Sequence, residues 1–398
     1  MRRTALLLGF LTLVPATLFA CSSAKKSGFD DGDGGPGNGT IGGGTLGGGD
    51  DAGTGKPCAP AKGNWDIPGN NCDDDDDGTV DNPPTCDDGL SETGSAADFA
   101  KALGICATAD KDGYGLVSAK FTRGHGNTQT PSPSQAGVLP KFGNVLKPRE
   151  GKRLGVLSSG YAQEYNGVSG QRFGNFSLAT TGDETSKDWG ASGTAPNGFP
   201  KAASGCMQAT DVHDVVNLVL TLKAPANASG VQFDLNFFSS EWPAFICSRF
   251  NDGFIAYLSA KGFNGGVPDN MSFDAKKNPV SVNNGFFDRC TANADTGCAP
   301  GAVKATSQCP GGTGELAGTG YGEVGTWCDL FPGGGKKSSS AGGATGWLTS
   351  KAPVQAGETF TLELMIWDTG DGDLDSSVLL DNFKWAEGEV TVVTDRPR

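Results

Sequence analysis

Histidine and methionine are scarce in this chain, two of the first and four of the second among 398 residues. With only His125 and His213 available, a His-rich zinc site is nearly excluded and a nucleophile–base triad has almost no base to choose from. Charged residues are also few, at 19%, and acids outnumber bases by 45 to 31, for a net charge of −14. A surface of that sign suits neither the phosphates of nucleic acid nor an anionic membrane face. Paired Cys-x-x-Cys spacing is missing, so a cysteine zinc site has no support. Also missing are a Gly-x-Ser-x-Gly elbow and any strand–helix alternation, which disfavours a serine hydrolase on a doubly wound sheet.

Glycine, by contrast, reaches 63 residues, roughly twice its usual ~7% share. Each one inside a helix costs about 1 kcal/mol relative to Ala, so the composition argues for turns and strands over helices. Fourteen glycines fall within residues 28–55, mixed with Asp, Thr and Asn. That stretch has too little apolar surface to bury and reads as a disordered tether over 21–56.

Arg2 and Arg3 precede an apolar run from Ala5 to Ala20, too short to span a bilayer comfortably, which reads as a signal peptide over residues 1–20. Leu18-Phe19-Ala20-Cys21 resembles the lipobox of bacterial lipoproteins. The resemblance implies cleavage before Cys21 and acylation of that cysteine, enough lipid for stable membrane anchoring. Ser22 resembles the sorting pattern for the outer membrane of Gram-negative bacteria. The remaining ten cysteines, Cys58, Cys72, Cys86, Cys106, Cys206, Cys247, Cys290, Cys298, Cys309 and Cys328, are an even set in an exported chain and imply up to five disulfides. Position along the chain suggests Cys247 with Cys290.

Residues 57–107 form a Cys- and Asp-rich module. Asp73, Asp75, Asp77, Gly78 and Asp81 occupy positions 1, 3, 5, 6 and 9 of a calcium loop. Position 12 is Pro84 where Glu is needed, so a true EF-hand is not expected. The stretch resembles a single degenerate copy of the Asn-Cys-Asp-x-Asp-Gly-x-Val-Asp repeats of bacterial surface proteins, and a solvated acidic run is the alternative to calcium. Ser95-Ala96-Ala97-Asp98 has the form of a capping box opening a short helix, with Phe99, Ala102 and Leu103 on one face and Gly104 at its end.

From residue 108 the signals are strands. Val215–Leu222 is a continuous apolar run, and Val231–Phe237 alternates so as to place Phe233, Leu235 and Phe237 inward and Asp234 and Asn236 outward. Residues 254–258, 360–367 and 378–380 read similarly. The expectation over 108–390 is an all-β, two-sheet antiparallel, jelly-roll-like sandwich. A Gly- and Cys-rich insertion interrupts it at 293–345, and a tail follows at 391–398.

Phe237-Phe238-Ser239-Ser240-Glu241-Trp242-Pro243-Ala244-Phe245 followed by Phe250-Asn251-Asp252-Gly253-Phe254 resembles the signature of the choice-of-anchor L domain of bacterial surface proteins. Val280–Asn284, Ala352–Thr359 and Ile366–Asn382 continue the match in order. Ser240 stands where many members have Glu, and Trp242 where they have Tyr. The resemblance implies display at the cell surface, with acylated Cys21 as the anchor, and carries no enzymatic activity.

Asp368, Asp371, Asp373 and Asp375 crowd a Gly-rich loop without a matching Lys or Arg. Oxygen-only donors point to calcium, which Glu241, Asn251 and Asp252 would complete from a rim loop. Asp-capped turns are the alternative. Three functions fit: a non-catalytic binding module for glycan or a surface protein, a glycosidase pairing Glu241 with Asp252 or Asp368, or a structural envelope component. Trp189, Trp242, Trp327 and Trp347 are candidate sugar-stacking residues, or ordinary packing under loops. The partners expected are the membrane through its lipid anchor and a surface ligand, not nucleic acid.

Overall fold

The computed structural model describes residues 58–82, 85–162, 188–203, 205–242, 245, 247–283, 286, 294–295, 304–305, 312–319, 321 and 342–397. Cys21, Trp327, Cys290, Cys298, Cys309 and Cys328 lie outside them. Residues from Gly55 onward form one compact unit.

The first regular element, α1 (Ala96–Ala102), is capped as its sequence dictates. Ser95 Oγ accepts the Asp98 amide, and Asp98 returns a carboxylate oxygen to the Ser95 amide. Leu103 closes the helix, and Gly104 follows at φ +96°, a backbone region glycine enters without a Cβ clash.

The strands follow in chain order: β1 (Gly115–Thr122), β2 (Ala136–Leu139), β3 (Leu154–Ser158), β4 (Val212–Lys223), β5 (Gly230–Ser239), β6 (Gly253–Ser259), β7 (Asp269–Asn270), β8 (Val280–Ser281), β9 (Ala294–Asp295), β10 (Lys304–Ala305), β11 (Gly343–Ala344), β12 (Leu348–Pro353), β13 (Thr359–Thr369), β14 (Ser376–Ala386) and β15 (Val393–Asp395). One sheet runs β1-β4-β13-β6-β7, with β8 also on β6. The other runs β15-β12-β5-β14-β3-β2, with β11 also on β5. Both are antiparallel throughout, so the expected all-β sandwich is present. The small β9–β10 ribbon stands apart from both.

Period-2 alternation fills the space between the sheets. Leu218, Leu220 and Leu222 of β4 and Leu362, Leu364 and Ile366 of β13 meet Phe233, Leu235 and Phe237 of β5 and Val378 and Leu380 of β14. Phe99 and Leu103 of α1 enter the same core, where Phe99 meets Phe121 of β1 edge-on at 5.7 Å. Burying each such side chain is worth about 1.5–3 kcal/mol.

The outer faces are covered as well. Leu154, Val156, Phe238 and Leu379 pack under Phe142, Leu146, Leu316 and Tyr321. On the other sheet Val215, Ile255, Met365 and Trp367 form a third cluster. Asp234 and Asn236 are therefore buried, 1% and 0% exposed, which corrects the expectation that they face water. The Asp234 carboxylate accepts from Arg149 Nε at 2.6 Å, Asn382 Nδ2 at 2.9 Å and Thr349 Oγ1 at 2.5 Å. Three donors, one of them a guanidinium, offset the cost of burying this side chain.

Candidate functional site: a buried acidic cluster between the sheets

Strand register gathers the acids of the signature. Trp367 of β13 pairs with Gly253 of β6, which sets Asp368 beside Asp252. Ser376 of β14 pairs with Ser239 of β5, and the Ser240 amide donates to the Asp375 carbonyl at 3.2 Å. Ser377 pairs with Ser158 of β3, bringing Ser159 alongside Ser376. Strand ends from both sheets thus converge at one end of the sandwich.

Asp252 spans the gap. Its Oδ1 accepts the Thr369 amide of β13 at 3.1 Å, and its Oδ2 accepts the Ser376 hydroxyl of β14 at 2.7 Å. Glu241 Oε2 accepts the Asp252 amide at 3.2 Å, and Thr369 Oγ1 donates to the Asn251 carbonyl at 3.1 Å. Ser376 N donates to Ser159 Oγ at 2.9 Å, Ser377 Oγ donates to Ser158 Oγ at 2.9 Å, and Tyr321 Oη donates to Ser377 Oγ at 2.8 Å. Asp375 sits against Gly160, where a side chain would overlap the Asp375 carboxylate and stand 2.9 Å from its Cβ. Glycine is required there by the close approach.

These acids are interior, not rim, residues: Glu241 is 2% exposed, and Asp252, Asp368 and Asp375 are each 0%. Burial first, then the neighbouring Asp252 carboxylate, raises Glu241 and Asp368 well above the usual carboxylate range. Burial likewise raises Asp252, against its hydrogen bonds from Ser376 and Thr369. Among the described residues, no Lys, Arg or His pairs with Glu241, Asp252 or Asp368. Both oxygens of Asp368 and the side-chain oxygen of Asn251 are buried and accept no hydrogen bond.

The other two aspartates of the loop behave differently. Asp371 is half-buried and accepts the Asp373 amide at 3.3 Å, while Asp373 is exposed. Asp214, which the sequence pattern does not single out, lies fully buried nearby at the start of β4 with φ +49°. It accepts from Trp189 N at 2.9 Å and Ala191 N at 3.2 Å, and burial pushes it up to about 6. Ser159, Ser376 and Tyr321 also escape sequence reading, because they enter the cluster only through register.

The N-terminal loop is a separate, exposed arrangement. Asp73, Asp75 and Asp77 bring three carboxylate oxygens within 4.8 Å of one another, the only such group among the described residues. Asp73 accepts the amides of Asp77 at 3.1 Å and Gly78 at 2.9 Å, and Asp77 accepts Thr79 N at 2.7 Å. Asp81 does not join them. It caps the amides of Gly69 and Asn71 at 2.9 and 3.1 Å.

Among the described residues three disulfides are formed: Cys58–Cys72, Cys86–Cys106 and Cys206–Cys247. The last corrects the expected Cys247–Cys290 pair. The Ala209 amide donates to the Arg249 carbonyl at 3.0 Å, so the lead-in to β4 runs beside the 247–251 loop and delivers Cys206 to Cys247. Of the candidate stacking residues, Trp242 is 1% exposed and unavailable to a sugar. Trp347 packs at the second core cluster under the Arg149 guanidinium. Trp189 is part-buried, its indole N–H donating to the Gly160 carbonyl at 3.3 Å. The histidines are partnered at the surface, His125 to Glu363 at 2.9 Å and His213 to Asp211 at 3.0 Å.

A family comparison matches the choice-of-anchor L domain over residues 156–384, more than half of the chain and all of the acidic cluster. The chain belongs to the choice-of-anchor L family. Membership marks a surface-associated β-sandwich of bacterial cell-surface proteins, in a family not known for enzymatic activity. No curated protein and no solved structure matches the chain. In this choice-of-anchor L domain the signature acids Glu241, Asp252, Asp368 and Asp375 all lie inside the sandwich. Among the described residues no helix is long and apolar enough to cross a membrane.

Proposed function

We propose that the protein is a lipid-anchored display module. Acylated Cys21 holds it in the outer membrane, and its choice-of-anchor L sandwich binds a glycan or another surface protein without catalysing a reaction, with calcium as a structural cofactor. The burial of the acids carries the non-catalytic reading. A glycosidase needs two carboxylates that flank a bound sugar with room for it between them. Glu241 and Asp252, the pair best placed for such chemistry, are 2% and 0% exposed and engaged with backbone and Ser376. The disulfides and the −14 charge fit an exported, soluble surface domain.

Anchoring is tested by fractionating cells that express the full chain and its Cys21→Ala variant. Wild type is expected in detergent-soluble membranes and the variant in the soluble fraction; membrane retention of the variant refutes the anchor. A glycan array probed with the mature chain tests binding against scaffold. Hydrolysis of an array glycan that disappears in Glu241→Gln would overturn the non-catalytic assignment.

A further inference from the structure

We infer that Glu241, Asp252 and Asp368, together with Asp375 and the side-chain oxygen of Asn251, hold a calcium ion in the interior of the sandwich, where it ties one sheet to the other. The inference rests on the calcium part of the reading above and fixes its place and ligands. It assigns the role to strand-end acids instead of the half-buried Asp371, the exposed Asp373 or the N-terminal loop.

Two observations beyond the gathering of acids point to a cation. Asp368 is 0% exposed, yet neither of its oxygens accepts a hydrogen bond. Its carboxylate faces Asp252 and Asp375, its strongest electrostatic neighbours, and the adjacent Ser159 hydroxyl gives its proton to the Ser376 carbonyl at 3.3 Å. Asn251 is 3% exposed, and its Oδ1 is likewise without a donor while its Nδ2 donates to Gln208 at 2.8 Å. A buried acceptor left without a donor costs about 1–3 kcal/mol, and more when charged. A metal ion satisfies all of these oxygens at once.

The donor set selects the ion. Carboxylate and amide oxygens are hard ligands, and zinc's preferred nitrogen and sulfur are missing from the set. Magnesium keeps several waters and demands an octahedron, whereas calcium accepts six to eight oxygens in an irregular cage, at about 2.3–2.6 Å. The carboxylates stand wider apart than the Asp73, Asp75 and Asp77 triplet, so binding would draw them together. In the N-terminal loop the same kind of oxygen is occupied by backbone amides and open to water, the ordinary chemistry of Asp-rich turns.

The ion would bridge both layers. Asp252 immediately precedes β6 and Asp368 lies in β13 of the first sheet, and Glu241 and Asp375 flank β5 and β14 of the second. The test uses the full-length chain stripped with chelator and then titrated with Ca2+, followed by thermal unfolding. A second readout is Tb3+ luminescence sensitised by Trp242 and Trp367, which adjoin Glu241 and Asp368 in sequence. Saturating Ca2+ is expected to raise Tm by about 5 °C or more and to displace Tb3+. Asp368→Asn should weaken binding about tenfold or more. Asp75→Asn with Asp77→Asn should leave it unchanged. If Asp368→Asn fails to fold by near-UV circular dichroism, Asp375→Asn is read in its place.

An unchanged Tm on adding or removing Ca2+ overturns the inference. So does a Tb3+ signal lost in the Asp75 and Asp77 variant and kept in Asp368→Asn. Either result would leave the acids as a proton-sharing cluster. A chain that ignores Ca2+ yet remains on the surface and captures its ligand sinks this site alone; one that takes Ca2+ but does not reach the surface sinks the display reading alone.

Discussion

Gly155, the second residue of β3, is where α1 meets the sandwich. A methyl group at that position would overlap the edge of the Phe99 ring and stand 2.9 Å from Leu103 Cδ1. Alanine is otherwise acceptable there, because the strand backbone is ordinary and a Cβ would, if anything, favour it. The substitution Gly155→Ala therefore isolates one contact. Overpacking a tight core costs about 1–3 kcal/mol, which for a domain of this size lowers Tm by about 2–10 °C. Phe99, 1% exposed, is itself worth about 3–5 kcal/mol when cut to Ala.

The decisive experiment is the double-mutant cycle. With Phe99→Ala in place the methyl finds the space left by the ring, so Gly155→Ala should then cost almost nothing, giving a coupling of about 1–3 kcal/mol. Thermal unfolding of the four proteins at fixed Ca2+ provides the measurement. Additive effects, or a Gly155→Ala protein that melts with wild type, would show that α1 is not seated on β3. The same cycle reports whether the Cys-rich N-terminal segment and the sandwich unfold together.

Two further expectations concern charge and cross-links. Burial pushes Asp381 up to about 7 despite the amides of Arg149 and Asn382 at 2.6 Å each. The folded chain thus keeps a proton that the unfolded chain releases above its own pKa of 3.8, and stability falls as pH rises from about 4 to about 7, then levels. Asp381→Asn should flatten that loss by a few kcal/mol at most, read as a smaller Tm difference between about pH 5 and pH 8; an unchanged difference refutes it. Peptide mapping without reduction should recover Cys206 joined to Cys247, a link spanning 41 residues. Removing it with Cys206→Ser should cost up to about 4 kcal/mol from loop entropy, and recovery of Cys247 joined to Cys290 would contradict the structure.

Much of the fold is legible from short-range pattern. The runs at 215–222, 231–237, 254–258, 360–367 and 378–380 all fall inside strands, and Ser95 with Asp98 begins the helix where the capping box places it. Those features depend only on neighbours a few residues away. The errors arise where distant segments decide. Asp234 and Asn236 alternate correctly with the core residues of β5, yet they are buried because Phe142, Leu146, Leu316 and Tyr321 help cover the outer face. Glu241, Asp252, Asp368 and Asp375 are recognisable as one acidic group, but the pairing of Trp367 with Gly253 and Ser376 with Ser239 places them in the interior. Composition makes Asp-Gly loops look solvated; register overrides it. Asp214 joins them from a strand start with no motif of its own.

The sheet borders bear on whether one copy of the domain can add a strand to another. An unpaired border is a template on which another chain can add a strand. Here the second sheet ends in β15, three residues long, and β2, four residues long. The first ends at one side in the two-residue β7. Its longer border, β1, is broken by a bulge between Leu116 and Ser118, carries Lys120, and exchanges hydrogen bonds at Leu116 with residues 107 and 109. Molecules packed side by side would meet without a continuous ladder to extend, so crowding concentrates this domain without inviting it to polymerise.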